Sequence, residues 1–563
     1  MSKDLSPSPA PAHAAVSAWA PFRHRTFAVI WVATVVSNIG GWMYSVASGW
    51  LMTSLDADPL FVSLVQVANN LPMFLFAIPA GALVDIVDRR LFLIIGETAV
   101  TVTSAAFAVL VWLHLITPWS LLVFSFLVTV ASAVTAPAWQ AVVPQLVPKP
   151  ELPSAIAANS VGINVSRAVG PALGGLMVVA FGIAAPFWVN AVSNVGVIAA
   201  LIRWNPPKRR APTLPRERFG QAMRSGLRYA RYNASLRSTL MRTVAFFVFA
   251  SAYWALLPLV ARDQIGGSSA IYGVLLGVIG ASAVAGAFLL RTLRSRLGPD
   301  VLLAAATVAT ALATALFGIA HNASVALAAS VLAGASWIAG VSSLNVSAQV
   351  ALPEWVRGRG LAMYVTIMFG SLSLGSAIWG EVASRVGLPF ALYAAALGAV
   401  LAIPLTWRWK LQTGAAIDFT PSMHWPEPVT TTDVEPDQGP VLTLIEYRID
   451  PKHREAFLEA MGPYVRVVRR NGGYDVAVYE DPAEEGRYVE TFMSDSWSEH
   501  LRLHRRMTIT DRKLEDKVRR WNIGDVKTTH LVLAQPRSES QAATTLKDHR
   551  RCVRRNGRAR DPR

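Results

Sequence analysis

Twelve stretches of about 20 or more mainly apolar residues run through this 563-residue chain, and each is long enough to cross a bilayer as a helix. A backbone in hydrocarbon must satisfy its own hydrogen bonds, and continuous apolar runs of this length do so as α-helices. The first six lie near 26–52, 60–84, 91–113, 118–141, 155–180 and 186–204. The other six lie near 241–261, 270–290, 301–320, 324–350, 360–384 and 388–408. The expected fold is therefore an all-α polytopic membrane protein, with six-helix bundles at 22–204 and 241–410.

The charges agree with that reading. Only 16% of residues are charged, against about 25% in a typical soluble protein, and they cluster between the spans. Arg23 and Arg25 precede the first span, Arg89 and Arg90 follow the second, and Lys149 follows the fourth. The central connection, 205–240, is strongly basic; Arg291, Arg294, Arg296, Arg357 and Arg359 mark later alternate connections. The remaining connections carry only Arg262 and Arg385. The positive-inside rule then places both termini and the central loop in the cytoplasm, as in a multi-pass protein of the bacterial inner (plasma) membrane. The net charge of +16 belongs to those connections and not to a nucleic-acid surface, and no nucleic-acid-binding motif is present. The lone Cys552 excludes an intramolecular disulfide and a thiolate metal cluster. Residues 1–21 are rich in Pro, Ala and Ser and read as a disordered cytoplasmic leader.

The two halves repeat. GALVDIVDR at 81–89 aligns with GAFLLRTLR at 286–294, and Gly170, Gly175 and Gly182 fall 205 residues before Gly375, Gly380 and Gly387. Gln140 and Pro144 align with Gln349 and Pro353 at an offset of 209. A six-plus-six split gives both halves the same orientation, which is a parallel repeat.

The composition changes after Lys410. Residues 411–440 read as a Pro/Thr/Asp-rich linker. Residues 441–536 alternate in the order β-α-β-β-α-β, the pattern of a small α+β ferredoxin-like domain, with its second helix broken near Thr508. The Arg-rich tail, 537–563, reads as disordered. His500 and His504 lie one helical turn apart and share a face. Such a pair can bind a metal or a small ligand, but no third ligand is evident, so the sequence assigns no metal and no cofactor.

Two motifs carry the chemistry. GALVDIVDRR, from Gly81, resembles the loop signature of the major facilitator superfamily, with Ile86 and Asp88 departing from it. Gly81 suits close helix approach, and Asp85 with Arg89 and Arg90 can form a charged latch at the cytoplasmic side. In the fifth span, GINVSRAVGPALGG resembles the antiporter motif of drug/proton exporters, with Ser166 where the longer motif often has Gly. Pro171 removes a backbone hydrogen bond, and Gly170, Gly174 and Gly175 admit a second helix. Arg167 is the only charged residue between Ala155 and Ile202. An arginine at mid-membrane costs about 2.5–3.5 kcal/mol, so it is expected to face a cavity or pair with an acid. It would bind an anionic substrate group beside Asn164, or form a structural ion pair. Glu97, Asp85 and Glu381, in that order, are the proton-carrying candidates.

Longer strings extend the resemblance: FRHRTF, SNIGGWMYSVASGWLM, NNLPMFLFAIPAGALVDIVDRR and APAWQAVVPQLVPKPELPSAIAANSVGINVSRAVGPALGG. They are similar to the transmembrane secretion effector branch of the major facilitator superfamily over roughly 20–410. The resemblance implies export of siderophore- or drug-like small molecules by proton antiport, through alternating access. Asn164 and Arg167 fit that branch's Asn-x-x-Arg-x-x-Gly-Pro pattern. SWSEHLRLHRRMT and the strand order resemble dimeric α+β barrel proteins related to antibiotic-biosynthesis monooxygenases, which implies a dimerising or ligand-sensing extension. No Gly-x-x-x-x-Gly-Lys-Ser/Thr string is present, so the chain does not read as an ATP-driven pump. The expected partners are a small-molecule substrate, protons and the lipid bilayer, with no nucleic acid. The rivals are a bifunctional transporter with a catalytic oxygenase-like domain, and a nontransporting sensor or scaffold.

Overall fold

A computed structural model describes residues 17–205, 219–412, 418–426, 428, 430 and 434–534. The leader up to residue 16 and the basic tail, with Cys552, lie outside the described residues.

The chain divides into two units: residues to Gly226 with Asn233–Ala416, and Leu227–Tyr232 with the residues from Ile417 onward. The first unit holds α1 (Arg25–Leu55), α2 (Pro59–Ile86), α3 (Arg89–Trp112), α4 (Pro118–Leu146), α5 (Leu152–Phe181) and α6 (Ala185–Arg203). After α7 (Phe219–Tyr232) follow α8 (Ala234–Leu259), α9 (Ser269–Gly318), α10 (Ala323–Val350), α11 (Glu354–Val386) and α12 (Leu388–Thr406). These helices supply 12 segments long and apolar enough to cross a membrane among the described residues. α9 supplies two of them, Ser269–Leu290 and Thr292–Gly318. It comprises two helices that meet at Gly298 (φ +71°, ψ 165°), where the backbone leaves helical geometry just before Pro299.

Local chemistry sets the ends. Asp58 accepts from the Leu60 amide at the start of α2, and Asp88 does the same for Leu91 in α3. Thr117 and Ser120 form a capping box on α4. Gly182 (φ +85°) and Gly387 (φ +91°), equivalent in the repeat, terminate α5 and α11 in a backbone conformation that favours glycine. Between the halves, α5 packs on α9 and α2 packs on α11.

The basic connection expected at 205–240 is more structured than a loop. Its apolar residues recur at helical spacing, α7 occupies 219–232, and α8 begins at Ala234 under an Asn233 cap.

In the second unit, β1 (Val441–Arg448), α13 (Arg454–Asn471), β2 (Tyr474–Glu480), β3 (Arg487–Ser494), α14 (Trp497–Arg506), α15 (Ile509–Arg519) and β4 (Lys527–Val532) follow in order. The sheet is antiparallel with order β2-β3-β1-β4, the ferredoxin-like arrangement. β1 buries alternate residues, and Ile445, Tyr447, Phe457, Tyr464, Phe492 and Leu503 form the core. The expected break at Thr508 is real: Thr508 and Asp511 make a capping box that starts α15. Part of the expected linker lies against this domain. Pro421 bridges Thr508, the Ser422 amide donates to the Met507 carbonyl, and Trp425 stacks near Phe492. The polar composition of 411–440 conceals that anchoring, because it rests on one half-buried indole and a few backbone bonds.

Candidate functional site

The Gly-Pro/Gly-Gly segment of α5 is wedged between two helices. A Cβ added at Gly170 would lie 2.6 Å from Trp42 Cβ, and one at Gly174 would lie 2.9 Å from Met43 Cα, both on α1. On the other face, a Cβ at Gly175 would lie 3.0 Å from Gly273 Cα on α9. Gly273 and Gly280 return the fit, with their own added Cβ atoms 3.0 Å from Gly175 Cα and Ala168 Cα. The seam between the halves is thus backbone against backbone, the close approach that small residues permit.

Beside it, within the first bundle, lies a cavity of about 400 Å³ lined by Trp31, Asn38, Trp42, Glu97, Trp139 and Gln140 among others. A volume in this range suits a small-molecule ligand. Glu97 is half-buried, and its carboxylate accepts a hydrogen bond from Trp139 Nε1 at 2.9 Å. The Arg167 guanidinium lies 5.8 Å from the centroid of Trp42, within cation–π range. Its Nε is buried without a hydrogen-bond partner. Among the described residues no carboxylate lies within ion-pair distance of Arg167, so the structure does not bring Glu97 and Arg167 together. Asn164 donates to the Ser160 carbonyl one turn back at 2.8 Å and does not line this cavity. Glu381 pairs with Arg385 at 2.5 Å at the exposed end of α11.

Arg89 and Arg90, expected to form a latch, both reach backbone carbonyls within the first half. Arg90 Nε donates to the Leu201 carbonyl at 2.9 Å, and its Nη2 donates to the Ile202 carbonyl, so the guanidinium caps the end of α6. Arg89 Nη1 reaches the Ala141 carbonyl of α4 at 3.5 Å. A Cβ at Gly81 would meet nothing within 4 Å, so the close helix approach expected there is absent in this conformation. The Asp85 side chain lies outside the described part of the structure.

In the second unit the His500 and His504 rings lie 4.7 Å apart, and β4 brings His530 to 4.8 Å from His500. Trp425 stands edge-on to His504 at 4.9 Å. Burial, with the neighbouring imidazoles, holds His500 down at about 3 and His504 at about 4, and burial lowers His530 as well. Next to them Glu515 accepts from Trp425 Nε1 at 2.8 Å, meets His424 Nε2 at 2.7 Å and pairs with Arg519 at 2.6 Å. Burial would raise Glu515, but the His424 hydrogen bond and the Arg519 charge outweigh it and the carboxyl is lowered. Glu490, fully buried with Tyr447 donating at 2.9 Å, is pushed up by burial to about 8.

The pattern for transmembrane secretion effectors matches residues 16–539. The chain belongs to that family. Among curated relatives it is 22% identical over 240 residues to the staphyloferrin A transporter of Staphylococcus aureus, a match covering 42% of this chain and 59% of the relative. It is 24% identical over 245 residues to macrolide efflux protein A of Streptococcus pyogenes, covering 43% and 60%. The chain thus spans about 60% of the length of these relatives. Two crystal structures share the fold of the membrane unit. A POT family transporter in complex with a thioalcohol-conjugated peptide has a TM-score of 0.57 at 10% identity, covering 68% of this chain and 96% of that one. A bacterial homologue of the human lysosomal transporter Spinster, inward-facing and unoccupied, has a TM-score of 0.54 at 15% identity, covering 69% and 97%.

The family assignment, with 12 segments long and apolar enough to cross a membrane among the described residues, makes the chain a multi-pass member of the major facilitator superfamily. Sequence reasoning missed His530, His424 and Glu515. Each lies far along the chain from its partners, and His424 sits in a segment of linker-like composition. The recurrence of three histidines within 31 residues, 500–530, was the available signal.

Proposed function

We propose that this transmembrane secretion effector exports a siderophore- or drug-like small molecule across the inner membrane by alternating access and proton antiport, with both termini in the cytoplasm. The observation that carries the reading is the backbone seam of α5 against α9 beside a cavity that contains Glu97. A seam without interlocking side chains can rock, and a half-buried carboxylate in a cavity is suited to exchange a proton with cargo. The staphyloferrin and macrolide relatives support the cargo class. The alternation of basic connections supports the orientation. Arg167, stacked on Trp42 and short of hydrogen bonds, is positioned to attract an anionic group, with Asn164 one turn away. Asp85, Arg89 and Arg90 form the cytoplasmic latch, and Glu97 precedes Asp85 and Glu381 as proton carrier.

The C-terminal domain acts as a dimerising and sensing extension similar to the antibiotic-biosynthesis-monooxygenase barrels. The sheet face carrying Leu442, Leu444, Val489 and Met493 is half-exposed, which supports pairing with a second copy.

The test compares metabolite and drug retention in cells lacking and overexpressing the protein, with and without a protonophore, together with an Arg167→Ala strain at matched expression. A compound expelled only with the protein, and retained again on adding protonophore or in the Arg167→Ala strain, is the expected result. Export that persists with protonophore rejects proton antiport. Export that persists in Arg167→Ala rejects the substrate role of the arginine.

A further inference from the structure

We propose that His500, His504 and His530 form a binding site for one divalent transition-metal ion of the zinc class in the C-terminal domain. The argument is independent of transport. Ligand nitrogens from all three residues lie within 4.8 Å of one another. A tetrahedral ion with metal–nitrogen bonds of about 2.0–2.1 Å holds its ligand atoms about 3.3 Å apart. Side-chain rotation supplies that difference, because His500 and His504 already share one face of α14 and β4 delivers the third ring from across the domain.

The state of His500 separates a ligand from a core histidine. The residue is 0% exposed, and neither of its ring nitrogens has a hydrogen-bond partner. Buried polar atoms are nearly always satisfied, and a packed structural imidazole would be expected to find a carbonyl or a hydroxyl. A metal ion satisfies one of those nitrogens directly.

The surroundings fit the same assignment. Trp425 packs edge-on to His504, and Trp497 lies 5.5 Å from His500, so indoles flank the rings. His424 is engaged by Glu515 and Ser422 and stands outside the set. An all-imidazole donor set favours zinc, copper, nickel or iron over magnesium and calcium. Three protein ligands leave a fourth position for an exchangeable ligand, so the ion could be met there by an anionic or chelating small molecule.

The experiment uses the full chain in detergent, without a polyhistidine tag, stripped by chelator and titrated with Zn²⁺ and Co²⁺. The expected result is one equivalent of zinc, and a visible cobalt spectrum of a low-coordinate site that zinc bleaches. His504→Gln and His530→Gln should each weaken binding by about tenfold or more, while His453→Gln, elsewhere in the domain, should bind as the wild type does. Unfolding curves without metal check that the variants fold. If they do not, X-ray absorption of the zinc-loaded wild type decides, with three imidazole nitrogens at about 2.0 Å expected. Absence of stoichiometric binding, wild-type binding by both His504→Gln and His530→Gln, or a first shell mainly of oxygen would each overturn the site.

Discussion

α5 and α11 are the same helix written twice, and their differences are more instructive than their likeness. Gly170 packs on α1, and Gly375, 205 residues later, packs on α8 against Val248 and Ser251. Gly175 meets α9 of the opposite half, and Gly380 meets Ser63 and Pro59 of α2, again across the halves. Gly182 and Gly387 end the two helices alike. Yet where α5 has Arg167, Pro171 and Gly174, α11 has Leu372, Ser376 and Trp379. The Trp379 indole donates to the Val248 carbonyl at 2.8 Å, whereas Gly174 leaves bare backbone beneath Met43. The repeat preserves the seams. The cation, the helix breaker and the bare contact are all on one copy, α5.

The largest expected effect comes from filling the seam. Gly175→Ala sets a methyl against the backbone of α9 at Ser269 and Gly273, which cannot rotate away. Overpacking of this kind costs about 1–3 kcal/mol, and cellular export should fall to near background. Gly380→Ala brings the new methyl 2.6 Å from Ser63 Cβ, one side-chain carbon where Gly175→Ala meets the backbone of three residues of α9, and should retain more export than Gly175→Ala does. Equal losses in the two strains would break the asymmetry.

Next in size is the exchange of Arg167 for the residue its counterpart carries. Arg167→Leu should lower export about tenfold or more, the scale of a lost charged hydrogen bond, while membrane insertion and thermal stability hold or improve because an intramembrane arginine is costly. Leu372→Arg should instead reduce the amount of folded protein recovered in detergent. If Arg167→Leu unfolds the protein while export per folded molecule is unchanged, the arginine is structural.

Much of this was legible in the sequence, and the boundary follows range. Spans, caps and strands are written in local periodicity, so α5 and the Thr508 break could be read directly. The repeat was legible because glycines required by close packing keep their spacing. Partners were not legible. Arg90 caps α6 more than 100 residues away, and nothing around it announces Leu201. Glu381 reads as a lone intramembrane acid, but α11 extends to Val386 and puts Arg385 one turn from it. His530 belongs with His500 only because β4 pairs with β1 at the sheet edge, and Trp425 reaches the domain from a stretch whose composition signals a linker.

The smallest expected effect tests how deep the repeat runs. Arg89 and Arg294 are also 205 residues apart, and each crosses to the next helix pair in its own half. Arg89 Nη1 reaches the Ala141 carbonyl at 3.5 Å, whereas Arg294 Nη2 donates to the Ser342 carbonyl at 3.2 Å and to Ser342 Oγ at 3.1 Å. The Arg294 contacts to Ser342 are shorter than the Arg89 contact to Ala141. Arg294→Ala should therefore destabilise the detergent-solubilised protein by about 1 kcal/mol. Ser342→Ala should account for part of that loss and little more when combined with it, the non-additivity of two groups in one contact. An additive double variant would show that Arg294 and Ser342 act separately, and the parallel between the two arginines would end at sequence alignment.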